Sequence, residues 1–80
     1  MTNTITLDFS VNATTSLGEE VFVCGNISEL GSWNTGNAFK LHTSKDLYPE
    51  WRNRKPLIIS PNISLEFKIF IRGAQGNVRW

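Results

Sequence analysis

Three tryptophans stand in this 80-residue chain, and none lies on the apolar face of a clearly alternating segment. Trp33 sits in a polar loop, Trp51 begins a candidate strand after a polar loop, and Trp80 follows a turn. Indoles carried at loop positions point to a binding surface. A flat apolar face suits a nucleic-acid base, a proline-rich peptide or the C–H face of a pyranose ring. Bases want accompanying lysine and arginine, whereas a sugar wants a few hydrogen-bonding groups at the rim. Asn34, Asn37, Lys68 and Asn77 fit such a rim. Trp51 has a competing role, plugging one end of the fold. Composition alone leaves sugar and peptide ligands open.

Catalytic constellations are scarce. One histidine and one cysteine cannot build a His-rich metal site, and nothing in sequence links the two as a nucleophile pair. Cys24, among Val21, Phe22 and Val23, reads as a small buried hydrophobe. His42 reads as an exposed loop residue. The carboxylates Asp8, Glu19, Glu20, Glu29, Asp46, Glu50 and Glu66 are scattered over turns and strand faces. A glycosidase needs two of them flanking a cleft, and a single small sandwich offers little cleft. They read as solvated surface acids. The expectation is a non-catalytic chain with no metal and no cofactor.

Eighty residues make one domain, spanning 1–80, with a modest core. A net charge of +1 supplies no basic excess to neutralise phosphates, so nucleic acid is not expected as the main partner. Nor does it suit a cationic membrane-surface module, and no apolar stretch is long enough to span a bilayer. The N-terminus, Met1 to Asp8, has neither a basic start nor an apolar block, so no signal peptide is expected and a cytoplasmic location follows. On that reading the Asn-x-Ser/Thr sequences at Asn12, Asn26 and Asn62 are chance matches.

The elements that must hold these side chains are strands. Ile5, Leu7, Phe9, Val11 and Ala13 alternate with polar residues, predicting one half-buried strand. Glu20 to Cys24 is a short apolar run predicting a central strand buried on both faces. Gly25 to Gly36 is a loop in which Leu30 and Trp33 are embedded, and Ala38 to Leu41 is a short strand. Trp51 to Ile59 predicts a strand with an edge position or bulge at Pro56. Ile63, Leu65, Phe67, Ile69 and Ile71 alternate again, with Phe9 and Phe67 expected to face the core. Val78 to Trp80 begins another strand. Helical periodicity is absent, and the sum is an antiparallel sandwich or small barrel.

The run from Ala13 to Asn34, ATTSLGEEVFVCGNISELGSWN, resembles the start of starch-binding domains of carbohydrate-binding module family 20. That family reads A-T-T-x-x-G-E-x-V-x-V-x-G and then L-G-x-W. Leu65-Glu66-Phe67-Lys68 is similar to its E-Y-K-F signature, and Gly76 to Trp80 to its turn into a second tryptophan. The resemblance covers nearly the whole chain in order. It implies an immunoglobulin-like antiparallel β-sandwich that binds α-1,4-glucan (starch, glycogen or maltooligosaccharide), tethered to a catalytic domain in a longer parent chain. Trp33 and Trp80 would form a stacking site, with Lys68 and Asn34 supplying polar contacts. A second site would draw on Tyr48, Trp51, Gly18 and Glu19, although Leu17 stands where the family often carries tyrosine. The family also continues beyond its last tryptophan, so a closing strand is expected to be missing here. A protein- or peptide-binding sandwich using the same aromatics is the alternative, and a third reading places catalysis in a linked segment.

Overall fold

The computed structural model describes residues 3–80; Met1 and Thr2, the first residues of the segment read as lacking a leader, lie outside them. Eight short strands follow in order: β1 (Ile5–Leu7), β2 (Ser10–Asn12), β3 (Glu20–Gly25), β4 (Phe39–Lys40), β5 (Glu50–Arg52), β6 (Leu57–Ile59), β7 (Phe67–Arg72) and β8 (Val78–Arg79). All pairings are antiparallel. β1 pairs with β6, β2 pairs with β5, and the remaining four form a sheet in the order β4-β3-β7-β8. The only helical pieces among the described residues are two 3-10 turns, Ser28–Trp33 and Thr35–Asn37.

The expected N-terminal strand is two strands, and so is the one expected over Trp51 to Ile59. Both breaks have one cause. Pro56 has no N–H to give a ladder, and β5 and β6 part between Arg52 and Leu57. Asn53 fills the gap with its side chain. Its Oδ1 accepts from the Phe9 N–H at 2.9 Å, and its Nδ2 donates to the carbonyls of Leu7 and Lys55. The N-terminal segment thus changes partners in mid-course, and Ile5 ends up exposed rather than inward.

The four-stranded sheet is apolar on both faces at its centre, as the run Val21–Cys24 predicts. Val21 and Val23, joined by Ile69 and Ile71, face a core completed by Leu30, Leu41, Trp51, Leu57 and Ile59. On the opposite face Phe22, Cys24 and Phe70 form a second cluster, flanked by Ala38 and Val78. Phe22 and Phe70 are direct cross-strand partners with rings stacked at 5.2 Å, an aromatic pair of the kind that adds about 0.5–1.5 kcal/mol beyond area burial. Phe70 is buried and Phe67 is exposed, the reverse of what alternation from Ile63 suggests. Phe67 instead lays its ring edge-on to Phe9 at 5.4 Å. His42 is half-buried, not an exposed loop residue, because its backbone N–H and C=O exchange hydrogen bonds with Arg52 at 2.7 Å.

Candidate functional site

The loop after β3 must present Trp33 without letting it collapse. Leu30 anchors the loop from within, fully buried in the core. Asn26 ties its start to the approach of β7: Nδ2 donates to the Ser64 carbonyl, and Oδ1 accepts from the Glu66 N–H. Gly31 adopts φ +85°, and a Cβ there would lie 2.7 Å from the Asn37 carbonyl group, so only glycine fits. Ser32 and Trp33 follow with φ 49° and 66°. Two consecutive non-glycine residues in the left-handed region are costly, about 1 kcal/mol or more each. The loop spends that strain on turning the Trp33 indole outward.

Trp80 is placed by the opposite edge of the loop's own sheet. Gly76, at φ +88°, permits the tight β7–β8 turn, closed by hydrogen bonds between Gly73 and Asn77 and between Gly76 and Gly73. Beyond β8 the Trp80 ring packs on Phe70, centroids 5.0 Å apart. Arg72 binds this assembly together. Its guanidinium lies 4.4 Å above the Phe22 ring and donates to the Thr35 carbonyl, locking the loop that follows Trp33 to the sheet.

Trp33, Lys68 and Trp80 line one open hollow of about 360 Å³. The indoles are 45% and 62% exposed, which leaves each a face to offer. Lys68 opposes Cys24 across the β3–β7 ladder, and the ladder's alternation sets it beside Phe70 and Arg72 on this side of the sheet. Among the described residues it has no ion-pair partner, so its ammonium is available to a ligand. Three residues from distant parts of the sequence therefore converge. Asn34 does not join them. Its Oδ1 accepts from the Gly36 N–H at 2.9 Å and caps the next turn, a structural duty. Alternation hid one neighbour: a hollow of about 440 Å³ shares Trp33 and Lys68 and adds Leu65, Glu66 and the exposed Phe67. A tertiary signal, Phe70 claiming the buried place, was needed to find it.

A further hollow of about 320 Å³ gathers Gly18, Glu19, Tyr48 and Trp51 with Thr15, Ser16, Leu17 and Thr43. Tyr48 is held upright, its hydroxyl accepting from the Thr15 N–H at 2.8 Å and donating to the Thr15 carbonyl. Leu17 is fully exposed at the rim. Trp51 departs from the role of platform. It is 6% exposed, belongs to the core, and gives its indole N–H to the Ala13 carbonyl. Its plugging role is the one realised. Glu19 is held below the usual carboxylate range by the Ser16 N–H and by Arg79, whose guanidinium it grips at 2.9 Å.

A small antiparallel sandwich that displays two indoles and an ammonium around an open hollow is a ligand-binding module. The family description "Starch binding domain" matches residues 4–80. An α-amylase of Streptomyces violaceus is 39% identical over 72 residues, covering 90% of this chain and 12% of the amylase. A cyclomaltodextrin glucanotransferase of Geobacillus stearothermophilus is 35% identical, covering 86% of this chain and 10% of that enzyme. Among solved structures, the family 20 module of the maltotetraose-forming amylase of Pseudomonas saccharophila superposes with a TM-score of 0.75 at 29% identity, over 95% of this chain and 78% of that one. The γ-type glucanotransferase of Bacillus clarkii gives a TM-score of 0.84 at 34% identity, covering 99% of this chain and 12% of that enzyme. The chain belongs to the starch-binding domain family, carbohydrate-binding module family 20, and is a non-catalytic module. It spans only about a tenth of the curated relatives' length.

Proposed function

We propose that the chain holds α-1,4-glucan by stacking neighbouring glucose units on Trp33 and Trp80, with Lys68 donating to sugar hydroxyls. The observation that carries this is the convergence of those three side chains on one open hollow. Each indole removes apolar sugar surface from water at about 25 cal/mol per Å², against the cost of immobilising chain and side chain, so micromolar to millimolar affinity is expected. A longer chain runs on past Phe67, whose exposed ring extends the surface beyond Trp33. The Tyr48 hollow gives a second, weaker contact, with Gly18 and Glu19 at its edge. Affinity of this size suits a module joined to a catalytic domain, which it serves by raising local substrate concentration. The match takes up only 12% of the similar amylase and 10% of the similar glucanotransferase, which leaves most of each enzyme's length outside the module.

Retention on insoluble starch tests the reading. The parent chain should be retained and displaced by soluble maltooligosaccharide, and Trp33→Ala should pass through. Passage of the parent chain would reject it. The peptide-binding alternative would then gain ground, since its aromatics are the same.

A further inference from the structure

The arginines of this protein are partnered in a telling way. Arg52 pairs with Glu50, Arg79 pairs with Glu19, and Arg72 lies over Phe22 while donating to Thr35. Arg54 alone has no such partner among the described residues. It lies with Lys55 in the segment between β5 and β6, exposed and without an acidic group in ion-pair range. Both line an open hollow of about 330 Å³ with Lys40, His42 and Phe39. Three of the chain's eight lysines and arginines thus meet its single histidine at one place.

The topology gathers them. Lys40 ends the edge strand β4, His42 bridges from there to Arg52, and the chain then turns at Asn53 to bring Arg54 and Lys55 back. Their positive charges act on one another. The His42 imidazole is pushed below its ordinary value first by burial, then by Arg54, Lys40 and Lys55, with Glu20 opposing. Among the described residues, Glu20, in contact with the Lys40 ammonium, is the carboxylate that acts on His42. A cluster of this sign on a molecule of net charge +1 is local, and acids elsewhere repel an extended polyanion.

We propose that this hollow binds a small phosphate-type oxyanion, free or as a phosphomonoester, through Arg54, Lys55, Lys40 and His42. The planar guanidinium of Arg54 is the group suited to two oxygens at once, Lys55 and Lys40 add point charges, and Phe39 completes the lining. The site is separate from the tryptophan hollow, with which it shares no lining residue. It stands whether or not the sugar reading does.

Amide proton–nitrogen correlation spectra during titration with inorganic phosphate test it, at ionic strength near about 10 mM, where charges are felt over roughly 30 Å. Saturable shifts should centre on Lys40, His42, Arg54 and Lys55, with a dissociation constant on the order of millimolar. The His42 ring should gain basicity as the anion binds. The double variant Arg54→Gln/Lys55→Gln, both at exposed positions, should weaken binding about tenfold or more by losing two direct charge contacts, while Lys45→Gln should not. A parallel titration with glucose 6-phosphate separates the two sources: tighter binding than inorganic phosphate assigns the ester, equal binding the free ion. Shifts no larger than those given by chloride, or a double variant that binds like the parent, would overturn the site. A thymidine oligonucleotide that binds there more tightly than phosphate would overturn the assignment to a small anion.

Discussion

The two aromatic hollows of this sandwich differ in what stands behind them. Trp80 rests on Phe70, which stacks on Phe22 across the two longest strands, and Arg72 clamps the neighbouring loop onto that stack. Tyr48 stands on a turn, its hydroxyl held by hydrogen bonds to one residue, with Leu17 beside it in open solvent and Trp51 sunk below. The first hollow has two exposed indoles; the second has one phenol. A stacking platform must hold its rings still before the ligand arrives, because ordering them on binding consumes affinity. The sheet does this for Trp80, and buried Leu30 with the strained Ser32–Trp33 turn does it for Trp33.

Removing the backing should have the largest effect. Phe70→Ala empties the centre of the outer cluster and should cost about 3–5 kcal/mol of stability, read from denaturant unfolding. Its glucan affinity, measured where the variant is still folded, should fall as well. Next come the rings themselves. Trp33→Ala and Trp80→Ala leave the core intact and should each lose about 2 kcal/mol of glucan binding, near thirtyfold, in calorimetric titration with maltoheptaose. Equal losses from Tyr48→Ala would erase the distinction between the hollows; the expected loss there is under about threefold. Leu17→Tyr sharpens it from the other side, since a second aromatic at that rim should tighten the weaker contact a few-fold.

The smallest effect is on acid. Glu19 edges only the Tyr48 hollow, and its carboxyl is held below 4.5 chiefly by the Ser16 N–H and then by Arg79. A depressed folded-state value means its contribution is present above the unfolded value and is lost as pH falls through the folded one. Binding at the Tyr48 hollow should therefore weaken in that acid range, whereas the tryptophan hollow, lined by no carboxylate, should not follow. Chemical shifts of Thr15 and Trp33 across a pH series with bound maltooligosaccharide report the two separately.

Much of this was legible in the chain. The apolar run at Val21–Cys24 announced a strand buried on both faces, and the motifs around Trp33, Lys68 and Trp80 named the residues that meet. Other features depend on partners that no local pattern encodes. The alternation from Thr4 to Ala13 runs unbroken in sequence, yet Asn53 and Pro56, more than forty residues away, split it in two. Phe67 and Phe70 compete for the core, and the stack with Phe22 decides for Phe70. Trp51 is buried in the core, with its N–H satisfied by the distant Ala13 carbonyl. Asn34, read from the sequence as a sugar contact, also caps a turn that no local pattern announces. The basic hollow lies beside the bridge between His42 and Arg52, a pairing that joins two sheets.

The most direct test is a tryptophan-fluorescence titration with β-cyclodextrin on the parent, on Trp33→Ala, on Trp80→Ala and on the double variant. Buried Trp51 lines only the weaker Tyr48 hollow, so the parent should give a saturable change, each single variant a weaker one, and the double variant no more than the small change of that hollow. A double variant that still responds like the parent would mean that glucan is held elsewhere.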